Sequence, residues 1–549
     1  MIHCREFSVD DLYMFFRTVK GSNGMYLYLV EGYRDGGKVK QRTIASFGKV
    51  SDLCPDQLKE MGLKLLGLCP NNTLIDLDHT EELCRKNWGI PQIVDNLWNK
   101  FKLSNFFTAV FYKRDIKYDI ESVIKLLLAD RLGAPCSKLK TYENQNYYDN
   151  HYDVELHNIY KTLNELCSLK SQIEKHLFEQ SKLQSYVNLS AVFFDVTTFH
   201  FESVNQDELR NFGYSKNAKF NEVQVVLSLL ITEDGIPLGY DLFSGNTYEG
   251  HTLSAGIKKL KEQYDIKKVI VVADRGINSG ANLHALIADG FEYIVGNRFK
   301  NLPKKVQNVV LGTEDYVIMN TDSRHDVFKY KIIDHEKEIR IDNKIEVIAS
   351  KLICTWSSKR AAKDRRDRER LVNKAEYIIK NGDSSKMRGA KKYLLEDNKS
   401  NFSLNVKKVE ADAKWDGFYV IETSDEQLSA EKVLSAYHQL WKIEESFKLY
   451  KSHLETRPLY HWTPDRIAGH FVLSYIAFLF ERVLEIELRK TNSEDPISPS
   501  NIRKALNSME YSELNCGSKI YKLFGNIEPL GLKILESLKI TPPRKAISV

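Results

Sequence analysis

None of the eight cysteines (positions 4, 54, 69, 84, 136, 167, 354 and 516) forms a Cys-x2-Cys pair, and none has the histidine spacing of a zinc site. A zinc-finger module is excluded, and a reduced compartment is the expectation. Net charge names no partner: 79 Lys and Arg against 74 Asp and Glu leave +5, a small excess for a chain of this length. The most apolar long run, Phe471 to Phe480, has ten residues, against the roughly 20 that span a bilayer, and it reads as a buried helix. Met1 to Phe7 lack the apolar core of a signal peptide. There is no P-loop and no convincing Ser/His/Asp or Cys/His arrangement. These absences lead to the expectation of a cytoplasmic protein with no membrane partner.

What is present is enough apolar material for several cores, with 549 residues, 42% of them hydrophobic and 11% aromatic. The expected fold is multidomain α/β. Residues 25–48 predict a β-hairpin turning at Asp35-Gly-Gly37. Lys38, Lys40 and Arg42 share one face of its return strand, either a solvated edge or a phosphate-contacting face. Residues 81–188 read as helical. There Asp119 caps a helix with Val123, Ile124, Leu127 and Leu128 on its apolar side, stopped by Gly133 and Pro135. Residues 189–300 switch to strands at Ala191–Asp195, Glu222–Ile231, Lys268–Asp274 and Tyr293–Gly296, with Phe199–Glu202 as a hairpin partner of the first. A mixed sheet with helices on its faces follows. Residues 301–415 predict a β-rich insertion, 416–490 a return to the core, and 491–549 a helical tail, after an N-terminal region at 1–80.

Two acids end apolar strands, Asp195 and Asp274, where a carboxylate emerges at the edge of a sheet. A third comes from Tyr437-His-Gln-Leu-Trp-Lys-Ile-Glu444-Glu-Ser-Phe-Lys-Leu-Tyr-Lys451. Tyr437, Glu444 and Lys451 are seven apart, so on one α-helix they share a stripe that drifts only about 20° per step. Glu445 is a rival that lacks this spacing. Three converging carboxylates suit hard divalent cations such as Mg²⁺. Two such ions can activate a water or 3′-hydroxyl and stabilise the leaving oxygen of an in-line phosphoryl transfer.

The segments Asp195-Val-Thr-Thr-Phe-His-Phe-Glu-Ser203, Ala273-Asp-Arg-Gly-Ile-Asn-Ser279 and Tyr437 to Lys451 resemble DDE transposases of bacterial insertion sequences. The branch resembled carries its last acid in a Tyr-x2-Arg-x3-Glu-x6-Lys signature, with a β-rich insertion before it. Gly213-Tyr-Ser-Lys216, Asp234 to Gly239, Phe243 to Thr247 and Ala45-Ser-Phe-Gly48 add to the likeness, which covers nearly the whole chain. The resemblance implies an RNase H-like catalytic core with Asp195, Asp274 and Glu444 as catalytic and metal-binding residues. Two Mg²⁺ ions, replaceable by Mn²⁺, are the implied cofactors. It also implies double-stranded DNA partners, the element's terminal inverted repeats and its target, bound by a homodimer on paired ends at the nucleoid. Tyr437 and Lys451 would contact DNA. The signature's arginine falls at Leu440, so its phosphate interaction is either missing or taken over by Lys442. Ile277 stands where an aromatic residue is common.

Lys359 to Lys374 holds eight basic residues against three acids. Asp364 and Arg368 can pair along a helix as a solvated face. Alternatively Arg365, Arg366, Arg368 and Arg370 contact DNA phosphates. Three functions remain in view: a transposase that cuts and joins, a metal-dependent nuclease on the same fold without strand transfer, and a DNA-binding protein that has lost catalysis.

Overall fold

The computed structural model describes residues 14–35, 38–68, 80–112, 114–150, 152–213, 221–319, 327–341, 344–381, 389–396, 402–454, 461–491, 497–516 and 519–549. Gly36 and Gly37 of the predicted turn, and Tyr214 to Lys216 of one motif, lie outside them. The chain divides into two compact units, one formed by residues 1–82, 514–521 and 549, the other by 83–513 and 522–548.

In the first unit the predicted hairpin is part of a three-stranded antiparallel sheet, β1 (Met14–Gly21), β2 (Gly24–Asp35) and β3 (Lys38–Lys49), followed by α1 (Pro55–Gly67). Pro55 opens α1 at a position where its missing N–H costs nothing. The basic face of β3 is paired within the sheet: Lys40 meets Asp35 at 2.5 Å and Arg42 meets Glu31 at 2.6 Å.

The second unit begins within β4 (Glu81–Asn87), at Leu83, and continues with α2 (Gly89–Lys100), α3 (Leu103–Phe111), α4 (Ile120–Gly133), α5 (Lys138–Glu143), α6 (Leu156–Ser168) and α7 (Lys170–Leu183). Asp119 caps α4 as its sequence suggests, its Oδ1 accepting the Ser122 N–H at 3.1 Å.

A nine-stranded mixed sheet carries the candidate residues Asp195 and Asp274 on and beside its strands. Its first strands are β5 (Ala191–His200), β6 (Gln224–Thr232), β7 (Pro237–Ser244), β8 (Ile270–Ala273) and β9 (Glu292–Gly296). Between them run α8 (Leu253–Lys258), continued by a π-helical turn at Lys259–Gln263, and α9 (Gly280–Ala288). The spatial order β7-β6-β5-β8-β9 has the first three strands antiparallel and β5, β8 and β9 parallel. That is the RNase H-like arrangement. β6 is buried at every position, which explains why apolar residues fill both of its faces, with Ser228 alone between the polar ends Gln224 and Thr232.

Two sequence readings of this sheet are corrected. Phe199–Glu202 is not a hairpin partner: β5 continues unbroken through Asp195 to His200, paired with β6 throughout. The third strand is β7, which the sequence pattern does not reveal; its first residue, Pro237, reads as the end of the turn Glu233-Asp-Gly-Ile-Pro237. β7 lies at the edge of the sheet with Pro237 as its first residue, the place where a strand tolerates proline.

After α10 (Lys304–Leu311), residues 301–415 supply β10 (Val317–Met319), β11 (Phe328–Ile341) and β12 (Lys344–Ser357), then α11 (Ser358–Asn381). A small pair, β13 (Leu394–Glu396) and β14 (Phe402–Leu404), and α12 (Val406–Ala413) follow. With β15 (Phe418–Thr423), strands β10 to β12 extend the same sheet past β9 instead of forming a separate one. The chain then enters α13 (Ala430–His438), α14 (Trp441–Lys448), a π-helical turn at Leu449–His453, and α15 (Pro464–Thr491). α15 is long and apolar enough to cross a membrane, but 94% of its most apolar stretch is buried inside the protein. It packs on α4 and α6, so the helical stretch and the sheet share one core.

Candidate active site

β8 is short, and its last residue, Ala273, pairs in parallel with Phe194 of β5. The next residue on each strand is an acid, so Asp195 and Asp274 emerge side by side where the parallel ladder stops. Asp195 therefore lies at the end of its pairing with β8, not at the end of its own strand. It is half-buried, with Oδ1 accepting the Val196 N–H at 2.7 Å. Asp274 is exposed and opens a single 3₁₀ turn, Arg275–Ile277.

Asp195, Asp274 and Glu444 line one cavity of about 870 Å³. Glu444 is exposed on α14. All three are oxygen donors, the ligand chemistry of a hard divalent cation. They share the cavity without closing on a point: among the described residues no three Asp, Glu, His or Cys side chains are close enough to hold an ion.

The single helical stripe through Tyr437, Glu444 and Lys451 is also corrected. The backbone tightens between α13 and α14, where the Leu440 and Lys442 N–H groups bond to the carbonyls of Tyr437 and Gln439, three residues back. It then widens into the π turn that carries Lys451. These opposite changes of pitch aim the three side chains separately. The Tyr437 hydroxyl donates to Asp274 Oδ1 at 3.3 Å and lies 2.5 Å from the Tyr419 hydroxyl. Burial, then Tyr419, then Asp274 push the Tyr437 phenol well above its ordinary pKa, so it stays a donor. Lys451 donates to Thr197, two residues beyond Asp195 on the same face of β5, and lies 5.2 Å over the Phe199 ring.

The tyrosine pair fits because residue 296 is glycine. A Cβ there would stand 2.6 Å from the Tyr437 hydroxyl and 2.8 Å from that of Tyr419. Gly296→Ala should therefore displace Tyr437 from Asp274 and slow cleavage on the order of tenfold to a hundredfold, as displacements of this scale do. Single-turnover rates, with a melting curve to show that the fold persists, check this outcome.

Other predicted contacts lie elsewhere. The Lys442 ammonium donates to the Glu233 carbonyl at 2.7 Å and to Gln439 Oε1 at 2.9 Å, so it ties α14 to the β6–β7 turn and does not point into the cavity. The pairing of Asp364 with Arg368 is replaced. Asp364 accepts the Gly417 N–H at 3.0 Å and lies 3.7 Å from Arg360, while Arg368 pairs with Asp416. Arg365, Arg366 and Arg370 are exposed on α11. Arg368 lines a neighbouring cavity of about 450 Å³.

Among the described residues, the Lys and Arg side chains that line the carboxylate cavity are Arg275 and Arg360, the latter 4.5 Å over the Tyr419 ring. Arg275 was legible as the residue after Asp274. Arg360 was hidden at the start of the basic run, and Tyr419 in an ordinary strand gave no signal.

A family model of the transposase DDE domain matches residues 188–480, more than half of the chain, and a model of the IS1634 family transposase N-terminal domain matches residues 16–63. No curated protein sequence matches. Among solved structures, a piggyBac transposase synaptic complex with hairpin DNA is similar at 9% identity, covering 76% of this chain and 77% of that one, with a TM-score of 0.35. A Mos1 transposase paired-end complex with the left transposon end is similar at 14% identity over 33% of this chain and 59% of that one, TM-score 0.15. A Mos1 mariner paired-end complex with Mn is similar at 14% over 33% and 60%, TM-score 0.14.

Proposed function

Because the chain belongs to the DDE transposase family, we propose that it binds the terminal inverted repeats of an insertion sequence, cuts the 3′ ends by hydrolysis and joins them to target DNA by transesterification. The observation that carries this reading is the adjacency of Asp195 and Asp274 at the end of the β5–β8 ladder, with Glu444 lining the same cavity. Asp195, Asp274 and Glu444 would hold Mg²⁺, or Mn²⁺ in its place. The chemistry such ions would supply there is a lowered pKa for a water or 3′-hydroxyl and stabilisation of the leaving oxygen.

The chain's own side chains do the rest. Tyr437 fixes the direction of Asp274 through its hydroxyl. Lys451, anchored on Thr197 beside Asp195, brings positive charge to the strand that carries the first acid. Arg275 and Arg360 at the cavity wall are placed to neutralise phosphate oxygens. The protein would act as a homodimer on paired ends, in the cytoplasm at the nucleoid.

The test supplies duplexes bearing the element's ends, with Mg²⁺, and then pre-cut ends with free 3′-hydroxyls plus target DNA. Nicked products in the first reaction and joined products in the second are expected. Nicking without joining would leave a nuclease, and neither product would leave a DNA-binding protein.

DNA binding should draw on the exposed part of α11. Changing Arg365, Arg366 and Arg370 together to glutamine should weaken binding uniformly across sequences and reduce the salt slope by about one for each phosphate that the variant no longer neutralises. Arg368→Gln should instead lower thermal stability, because it leaves Asp416 without its partner. Equilibrium binding across a salt series and melting curves separate the two.

A further inference from the structure

Glu422 is 0% exposed at the penultimate position of β15, opposite Val295 of β9 and Leu352 of β12. A buried carboxylate is costly unless its oxygens are met. Here neutral donors meet both. Oε2 accepts from the amides of Asn297 at 2.7 Å and Asn278 at 2.9 Å. Oε1 accepts from the hydroxyls of Tyr293 at 3.2 Å and Ser350 at 3.4 Å. The donors come from three separate places: β9 and the residue after it, strand β12 of the insertion, and the loop that follows Asp274.

The last of these matters most. Asn278 closes the 3₁₀ turn that Asp274 opens. Its Nδ2 bridges Glu422 and the Gly296 carbonyl, the latter at 3.1 Å, and its Oδ1 accepts Lys337 Nζ of β11 at 2.8 Å. Every polar atom of the Asn278 side chain is thus bound to the sheet at the seam between β9 and the inserted strands. The turn's own backbone bonds are weaker, with the Ile277 and Asn278 N–H groups reaching Asp274 and Arg275 carbonyls at 3.3 Å each. A turn of this kind needs outside support to hold one conformation.

We propose that Glu422 is a positioning residue for Asp274, acting through Asn278, and that the β11–β12 hairpin forms part of that support through Lys337 and Ser350. The role rests on the reading of Asp274 as a catalytic acid. It makes the inserted strands a structural member of the active site as well as an extension of the sheet.

Three variants test it: Glu422→Gln, Glu422→Leu and Asn278→Ala. Glutamine keeps the shape, and the Tyr293 and Ser350 hydroxyls can turn to accept its amide N–H groups, so Glu422→Gln should behave as the unaltered protein. Leucine leaves the amides of Asn278 and Asn297 unmet, and alanine at the half-buried position 278 removes the link itself.

In hydrogen exchange, the backbone amides of residues 277–279 should exchange about tenfold faster or more in Glu422→Leu and Asn278→Ala, with β6 amides unchanged. Under saturating DNA the cleavage rate constant of both should fall about tenfold while the KM for DNA stays fixed. If Glu422→Leu loosens β6 as well, Asn278→Ala decides alone. Unaltered exchange at 277–279 in Asn278→Ala would overturn the proposal. Absence of cleavage by the unaltered protein would instead count against the catalytic reading, and the exchange result would still stand.

Discussion

Replacing Asp195, Asp274 or Glu444 singly by alanine should abolish divalent-metal-dependent cleavage and leave binding to element ends largely intact. Asp274 and Glu444 are exposed and Asp195 is half-buried, so none of these substitutions empties a core position. Asp195→Ala removes the carboxylate that accepts the Val196 N–H, which stays inside the β5–β6 ladder region, and Asp274→Ala frees the Tyr437 hydroxyl, which keeps Tyr419 as a partner. Melting temperatures should therefore change little. The rate should fall by at least the order of 10² to 10³ that removal of one well-placed electrostatic group costs, and further where a metal ligand is removed. Glu445→Ala is the internal control. Glu445 is half-buried and does not line the cavity, so its removal should leave cleavage near the unaltered rate. Cleavage retained in all three acid variants would sink the assignment. Loss on changing Glu445 and not Glu444 would transfer the third role to its neighbour.

That Asp195 and Asp274 share a cavity was readable because apolar β5 and β8 residues each give way to a carboxylate. The spacing of seven favoured Glu444 over Glu445, and Glu444 lines the cavity although the single helical stripe behind that spacing is not realised. The strands were readable where burial is complete, as in β6, whose nine residues need no alternation. What failed was local geometry set by distant partners. Asp195 does not end its strand, because β6 continues to pair with β5 after β8 has stopped. Pro237 looked like the end of a turn, since the sequence does not reveal that an edge strand, β7, begins there. The π turn at Leu449–His453 is invisible to a count of residues per turn. It is held from outside, by the Tyr450 hydroxyl on the Phe471 carbonyl at 2.8 Å and by His453 on Glu481 at 2.8 Å. Lys442 was assigned to DNA as a stand-in for the signature's arginine and Arg368 by charge, and both are committed to protein acceptors. Arg360 and Tyr419 reach the cavity only because β12 and β15 join the catalytic sheet.

The edge strand that the sequence concealed is also where the largest loss of stability should arise. Glu174 on α7 has a side chain only 1% exposed. Its Oε1 accepts the Tyr240 N–H at 3.0 Å and the Lys259 ammonium at 3.2 Å, while Oε2 meets Lys170 at 3.2 Å. Both lysines also bond the Tyr240 carbonyl, at 2.7 Å from Lys170 and 2.6 Å from Lys259, and both meet Asp241. The π turn at Lys259–Gln263 places Lys259 in this cluster. Glu174→Ala removes one of two carboxylates facing two ammonium groups and strips the Tyr240 N–H of its acceptor. Breaking a buried pair from one side costs about 3 to 5 kcal/mol, because the abandoned charge stays buried. Glu174→Gln keeps acceptor oxygen and should cost less, roughly 1 to 3 kcal/mol. Because the penalty comes from the stranded cation, adding Lys259→Met to Glu174→Ala should recover part of the loss, a coupling that a double-mutant cycle measures by denaturant unfolding. Strict additivity in that cycle would mean that Glu174 serves β7 through the Tyr240 N–H alone. If the single variant loses less than about 1 kcal/mol, the range of a solvated surface pair, the cluster is screened by water and does not hold the edge of the sheet.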